Sequence, residues 1–161
     1  MKQTFQLRDK IPTDDGWITD IATRLWGSVQ IISKEHTYNI VELPNCIGEL
    51  NGKPVGFVSY TQGGGSREIV ALYCAIENHG IGTALIERVK ETAKTDGCTS
   101  VWVMTTNDNT QALRFYQKRG FVIKAVRTNV MEEQRKVKPT IPLLGNDKIP
   151  IRDEIELEIR L

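Results

Sequence analysis

At 161 residues, 40% hydrophobic and 25% charged, the chain has the size and make-up of a single globular domain around one core. Its 21 basic and 20 acidic side chains leave a formal charge of +1, which excludes bulk electrostatic attraction to nucleic acid or to an anionic membrane surface. Cys46, Cys74 and Cys98 are odd in number and lack paired spacing, so neither a disulfide framework nor a zinc site is expected, and the three read as reduced thiols with no metal bound. The opening MKQTFQLRDK carries no leader-like apolar run and no stretch is apolar enough to span a bilayer, so the expected location is the cytoplasm.

In chain order, a short strand is expected over Thr4 to Leu7. A helix follows over Thr13 to Trp26, where Trp17, Ile18, Ile21, Ala22, Leu25 and Trp26 recur at helical spacing behind Thr13 and Asp14 as caps. Ser33 to Cys46 has no clear period and receives no assignment. Ile47 to Leu50 and Val55 to Thr61, around the turn Asn51-Gly52-Lys53-Pro54, predict a β-hairpin. A second turn, Gly63-Gly64-Gly65-Ser66, leads into a third strand over Arg67 to Ile76 and makes an antiparallel meander.

At Gly80 the period changes. Ile81, Leu85, Val89 and Ala93 share one helical stripe that Gly97 closes. Ser100 to Thr105 is nearly all apolar, as in a strand covered on both faces and parallel to its predecessor, which makes a βαβ unit. Asn109 is placed to cap a helix running to Arg119, and Phe121 to Thr128 reads as a strand. Residues 131 to 153 hold Pro139, Pro142, Gly145 and Pro150 and resist assignment before the alternating Glu154 to Ile159 gives a last strand.

The strand-to-helix turn "ENHGIGTALI" (Glu77 to Ile86) has the ingredients of an anion site, because backbone N–H groups at a helix start and the helix dipole both favour negative charge. Taken alone, two glycines with one residue between them fit a tight turn better than an anion site. Two nucleotide motifs are excluded: the P-loop requires Lys before Ser or Thr where this chain has Thr83-Ala84, and the dinucleotide fingerprint requires a third small residue where Leu85 stands.

The turn lies between "REIVALYCAI" (Arg67 to Ile76) and "NDNTQALRFYQKRGFVI" (Asn107 to Ile123), the latter with an Asn-x-x-Ala-x-x-x-Tyr-x-x-x-Gly-Phe spacing. The three blocks in this order resemble the GNAT superfamily of acyl-CoA-dependent N-acetyltransferases over roughly residues 47 to 130. The resemblance implies an α/β (α+β) fold with a mixed, mostly antiparallel sheet of six to seven strands and helices on both faces, the 161 residues forming one domain. It implies acetyl-CoA as the bound cofactor, with Asn78, His79, Gly80, Ile81, Gly82 and Thr83 around its pyrophosphate. Leu72 would offer a backbone N–H to the thioester carbonyl, Cys74 would pair its main chain with the pantetheine arm, and Asn109 would make a further cofactor contact. Tyr116 takes the place of the general acid for the leaving thiolate, against the alternative of a core tyrosine. Glu68 is the candidate base, held level with a solvated glutamate at the entry to the strand.

Two departures stand out. Glu77 occupies a position where glutamine or arginine is usual, and Ile76 stands in place of a common proline. The expected activity is acetyl transfer to a primary amine, on a small molecule in preference to a protein, without nucleic-acid or membrane partners. Homodimerisation through the last strand stays open. The alternative is an acyl-CoA-binding sensor or catalytically impaired module, motivated by Glu77.

Overall fold

The segment up to the second turn is organised by what its shortest side chains leave room for. A computed structural model describes residues 4–161; the first three residues of the opening stretch lie outside the described residues. The chain forms two compact units, the residues up to Val101 with Leu161, and Trp102–Arg160. Seven main-sheet strands, a separate two-stranded ladder and four α-helices are present among the described residues, the mixed α/β class expected from the sequence.

In the first unit, β1 (Phe5–Asp9), β4 (Asn45–Leu50), β5 (Lys53–Tyr60) and β6 (Ser66–Cys74) lie in the order β1-β4-β5-β6, every neighbour antiparallel, so the predicted meander is present. The helix α1 (Asp14–Trp26) begins one residue after Thr13, whose side chain makes no capping bond. Asp14 serves that end instead: its carboxylate accepts the Ile11 N–H at 2.8 Å and two guanidinium N–H groups of Arg8 at 2.7 and 2.9 Å. The part of the chain without a sequence assignment contains β2 (Gln30–Ser33) and β3 (His36–Asn39), a hairpin turning at Lys34 and Glu35 with φ +45° and +68°. Such turns favour glycine and asparagine. With Lys-Glu there and only four residues in each strand, the hairpin gave no sequence signal.

One face of the sheet packs on α1. Ile18, Ile21 and Ala22 meet Ile40, Ile47, Phe57 and Ala71, and Phe57 lies 5.7 Å from the Trp17 ring, 6.2 Å from Trp26 and 5.8 Å from Tyr73. The other face carries α2 (Ile81–Thr95), which buries Ile81, Leu85, Ile86, Val89 and Ala93 and packs across β6, β5 and β4. Gly48 and Gly56 lie beneath its first turn. A Cβ at Gly48 would stand 2.8 Å from Ile81 Cγ2, and one at Gly56 2.9 Å from the Tyr73 carbonyl. At its other end α2 is held by Arg67, fully buried, which donates to Thr92 Oγ1 at 2.8 Å and Asp96 Oδ2 at 2.6 Å.

The second unit contains most of β7 (Ser100–Thr106), then α3 (Thr110–Lys118), β8 (Val122–Arg127), α4 (Met131–Val137) and β9 (Glu154–Arg160), with strand order β7-β9-β8 and β8 antiparallel to β9. The last strand is therefore flanked on both sides, and β8 is the outer strand. The unassigned region supplies α4 and a 3-10 turn at Asn146–Lys148. Its loop is fastened by adjacent residues after β7. Asn107 Oδ1 accepts the N–H groups of Arg152 and Asp153 at 3.0 and 2.9 Å, and Asp108 Oδ2 accepts that of Asn146 at 3.0 Å. Two glutamates of the alternating strand are buried: Glu156 pairs with Arg127 at 3.2 Å, and Glu154 accepts from Gln134, its carboxyl pushed up chiefly by burial. No described helix is long and apolar enough to cross a membrane, and no cluster of metal-ligating side chains occurs among the described residues.

Two stability measurements follow. Gly48→Ala is expected to cost about 1–3 kcal/mol in denaturant unfolding, because the β-branched Ile81 gives way poorly to an added methyl. Asp14 is held below the usual carboxylate range first by its hydrogen bond to Arg8, so its contribution is complete at neutral pH and lost as pH falls through its folded-state value. Asp14→Asn should therefore lower stability by about 1–2 kcal/mol at pH 7, with the gap closing below about pH 4.

Candidate functional site

Strand β6 is the spine of the site in the first unit. Its pairing with β5 runs Gly56 to Cys74, Phe57 to Tyr73, Val58 to Leu72 and Ser59 to Ala71, then steps to Tyr60 with Ile69, leaving Val70 as an extra residue. That bulge resets which face each later side chain meets. Ala71 and Tyr73 face α1. Beyond the bulge it is Glu68 that faces this side, while Arg67 points to α2. Without it, the two charged residues would exchange faces.

Glu68 is only 2% exposed, which removes the reading of a solvated strand-entry glutamate. Its own N–H donates to Thr61 Oγ1 at 3.1 Å, and its negative charge adds to burial in raising the phenol of Tyr38 on β3. Tyr38 lay in the stretch without an assignment, and a lone aromatic in a four-residue strand offered no period to find it by.

The Ala75 N–H donates to the Val55 carbonyl at 2.7 Å, which fixes the phase of the β5–β6 ladder. Residues 73 and 75 then direct their N–H groups to β5, and Leu72 and Cys74, in the alternate pairs, direct theirs to the opposite edge. The Cys74 thiol donates to the Ile76 carbonyl at 3.0 Å, a local brace that suits a structural cysteine.

Between β6 and α2 the chain turns through Asn78 at φ +62° and Gly80 at φ +77°. A Cβ at Gly80 would meet nothing closer than Phe5 at 4.0 Å, so glycine is there for its backbone angle, not for space. His79 is exposed, and its Nδ1–H donates to the Glu77 carbonyl at 2.7 Å, bracing the turn; Glu77 itself is exposed. The first turn of α2, Ile81, Gly82 and Thr83, has no side-chain cap and no acidic residue, so none of its own carboxylates offsets the positive end of the helix dipole. These positions, from Glu68 to Thr83, are in one unit and in sequence along one strand, one turn and one helix start.

The remaining two sequence-predicted residues belong to the second unit. Asn109 caps α3 as expected, its Oδ1 accepting the Ala112 N–H at 3.1 Å. Tyr116 is 5% exposed, with its ring edge-on to Phe115 at 5.2 Å and Phe121 at 5.3 Å. Burial pushes its phenol well above the ordinary tyrosine value, against a smaller opposing effect of Arg119. A phenol in that state is a proton donor throughout the physiological range.

Comparison with known proteins adds to this geometry. The sequence model described as "Acetyltransferase (GNAT) family" matches residues 13–121. The uncharacterised protein YxbD of Bacillus subtilis (strain 168) is 44% identical over 134 residues, 82% of this chain and 84% of its own length. A second uncharacterised protein of that organism, YdhI, is 40% identical over 140 residues, 86% of this chain and 87% of its own. Among solved structures, an IAA acetyltransferase from Bacillus cereus superposes with a TM-score of 0.72 at 21% identity, covering 98% of this chain and 100% of that one. A GNAT family acetyltransferase from Elizabethkingia anophelis, solved with acetyl-CoA bound, gives 0.69 at 20% identity, with 98% of each chain covered.

Proposed function

Because the chain belongs to the acetyltransferase (GNAT) family, we propose that it transfers an acetyl group from acetyl-CoA to a primary amine by direct attack on the thioester, residues 1–161 serving as one N-acetyltransferase domain. Acetyl-CoA supplies an acyl carbon activated by a thiolate leaving group. The observation that carries the reading is the β6–α2 turn: a helix start without side-chain cap or acidic residue, reached through a left-handed glycine, suits a pyrophosphate held by backbone N–H groups.

In this reading Asn78, His79, Gly80, Ile81, Gly82 and Thr83 hold the pyrophosphate, and Asn109 adds a contact while capping α3. The N–H groups of Leu72 and Cys74 are turned from β5; in this reading that of Cys74 serves the pantetheine arm and that of Leu72 the charge that builds on the thioester oxygen. An amine that is ammonium at neutral pH must lose a proton before it attacks. Glu68, a buried carboxylate, takes it, directly or through water. The new C–N bond forms as the C–S bond breaks, and Tyr116 protonates the departing sulfur, regaining its proton from solvent. The acceptor is read as a small-molecule amine.

Glu77 favours a second reading, acyl-CoA binding without transfer, because its carboxylate lies in the turn proposed for the pyrophosphate; its exposure lets solvent screen that charge.

Calorimetric titration with acetyl-CoA tests the cradle. Saturable binding is expected for the wild type, weakened at least about tenfold by Gly82→Asp, which brings a carboxylate to the helix start; equal affinity in the two proteins would refute the cradle. Kinetics across an amine panel separate the readings. Tyr116→Phe and Glu68→Gln should each lower kcat by about 10²-fold or more with cofactor affinity retained, and binding with no turnover in the wild type would select the sensor. The raised phenol value places any loss of activity through Tyr116 ionisation above about pH 10, on the alkaline side of the ordinary tyrosine value.

A further inference from the structure

We propose that Trp17 and Tyr73 form an acceptor-binding notch that selects a primary amine carrying a flat aromatic group on a short arm. The inference rests on the acetyltransferase reading above and gives that reading a class of substrate. Trp17 on α1 and Tyr73 on β6 stand with ring centroids 6.2 Å apart and planes inclined at 63°. Phe57, fully buried, closes the inner side, 5.7 Å from the indole and 5.8 Å from the Tyr73 ring. The two walls themselves are only partly buried, unlike Phe57, Ile18 and Ile47 in the cluster they pack on. Gly16, the residue before Trp17 in the helix, adds no side chain, and a Cβ there would meet nothing within 4 Å, so the space beside the helix start is open.

Strand β6 determines what fits such a notch. The bulge at Val70 brings Glu68 to the face that also carries Tyr73, so the side from which the proposed base meets the ammonium is the side on which the rings stand. A buried carboxylate and an aromatic notch on one face complement a ligand that is cationic at one end and flat and apolar at the other. Leu72, whose N–H is assigned above to the thioester oxygen, is the residue before Tyr73. One residue of strand is about 3.3 Å, so the reacting nitrogen and the notch are close and the arm between them is short. A ring entering between planes inclined at 63° lies close to face-on with one wall and edge-on with the other, the arrangements that aromatic pairs favour. An alkyl chain of similar length gains burial there without that added attraction.

The test is the rate of thiol release with phenethylamine, hexylamine and putrescine at saturating acetyl-CoA. In the wild type, kcat/KM for the aryl amine should exceed that for hexylamine by about three- to tenfold, mainly through KM, and that for putrescine by more. Tyr73→Leu keeps apolar bulk and removes the ring, and should bring the aryl-to-alkyl ratio down toward one. Trp17→Leu should act in the same direction, and Tyr73→Phe should keep the ratio. Trp26→Leu takes a ring from Phe57 at the opposite end of α1 and should leave the ratio in place, which separates the notch from a general loosening of the core. A wild type that prefers hexylamine or putrescine would overturn the proposal, as would a Tyr73→Leu ratio equal to that of the wild type. Turnover of no amine would remove the acetyltransferase reading. The notch is then decided by calorimetric binding of phenethylamine to the acetyl-CoA-loaded protein: binding weakened in Tyr73→Leu upholds it, and binding that is absent or equal in the two proteins overturns it.

Discussion

Helix α2 takes its place because β4 and β5 put no side chain beneath its first turn. With Gly48 and Gly56 there, Ile81 descends to a distance that a single methyl would forbid. The opposite end of the helix is tied by a buried guanidinium, and a buried cation is tolerated only when it is paired, here with the Thr92 hydroxyl and the half-exposed Asp96 carboxylate. One end is set by the absence of atoms and the other by an ion pair. Between them they determine where the start of α2 stands relative to β6, and so the place of the turn at Asn78 to Gly80.

Strand β6 joins these constraints to the proposed chemistry. Its C-terminal half offers main-chain N–H groups on the edge away from β5, and its N-terminal half sends Arg67 and Glu68 to opposite faces. The bulge between them reconciles the two demands. A regular strand with the same sequence would aim Arg67 at the aromatic core and Glu68 at α2, where Thr92 and Asp96 would have no cation to bind. The same single extra residue thus serves the packing of α2 and the burial of the proposed base.

Much of this was legible in the sequence because it rests on period and punctuation. The stripe from Ile81 to Ala93, the glycine turns of the meander and the cap at Asn109 are local patterns, and the structure repeats them with boundaries moved by a residue or two. Three kinds of feature were not legible. The β2–β3 hairpin turns on Lys34 and Glu35, which carry no turn signature, and α4 is seven residues long, too short to show a helical period. Tyr38, whose phenol is raised by burial and then by the charge of Glu68, is thirty positions from it on that unread hairpin. The burial of Glu154 and Glu156 contradicts the usual meaning of charged residues alternating along a strand. They are buried because Gln134 and Arg127 reach them, and such pairing between distant positions leaves no trace in a one-dimensional pattern.

The strand order of the second unit also bears on how the chain acquires its structure. Because β9 lies between β7 and β8, the two strands synthesised first are not neighbours and have no ladder to form with one another. Closure waits for β9 to be made and to insert between them, with Asn107 and Asp108 holding contacts 38 to 46 residues distant. Loop closure over such separations is slow compared with local hairpin formation. During synthesis the β7 edge that faces β9 therefore keeps its backbone groups unpaired until that strand arrives, and a chain shortened by that strand loses the middle of this sheet instead of trimming its border.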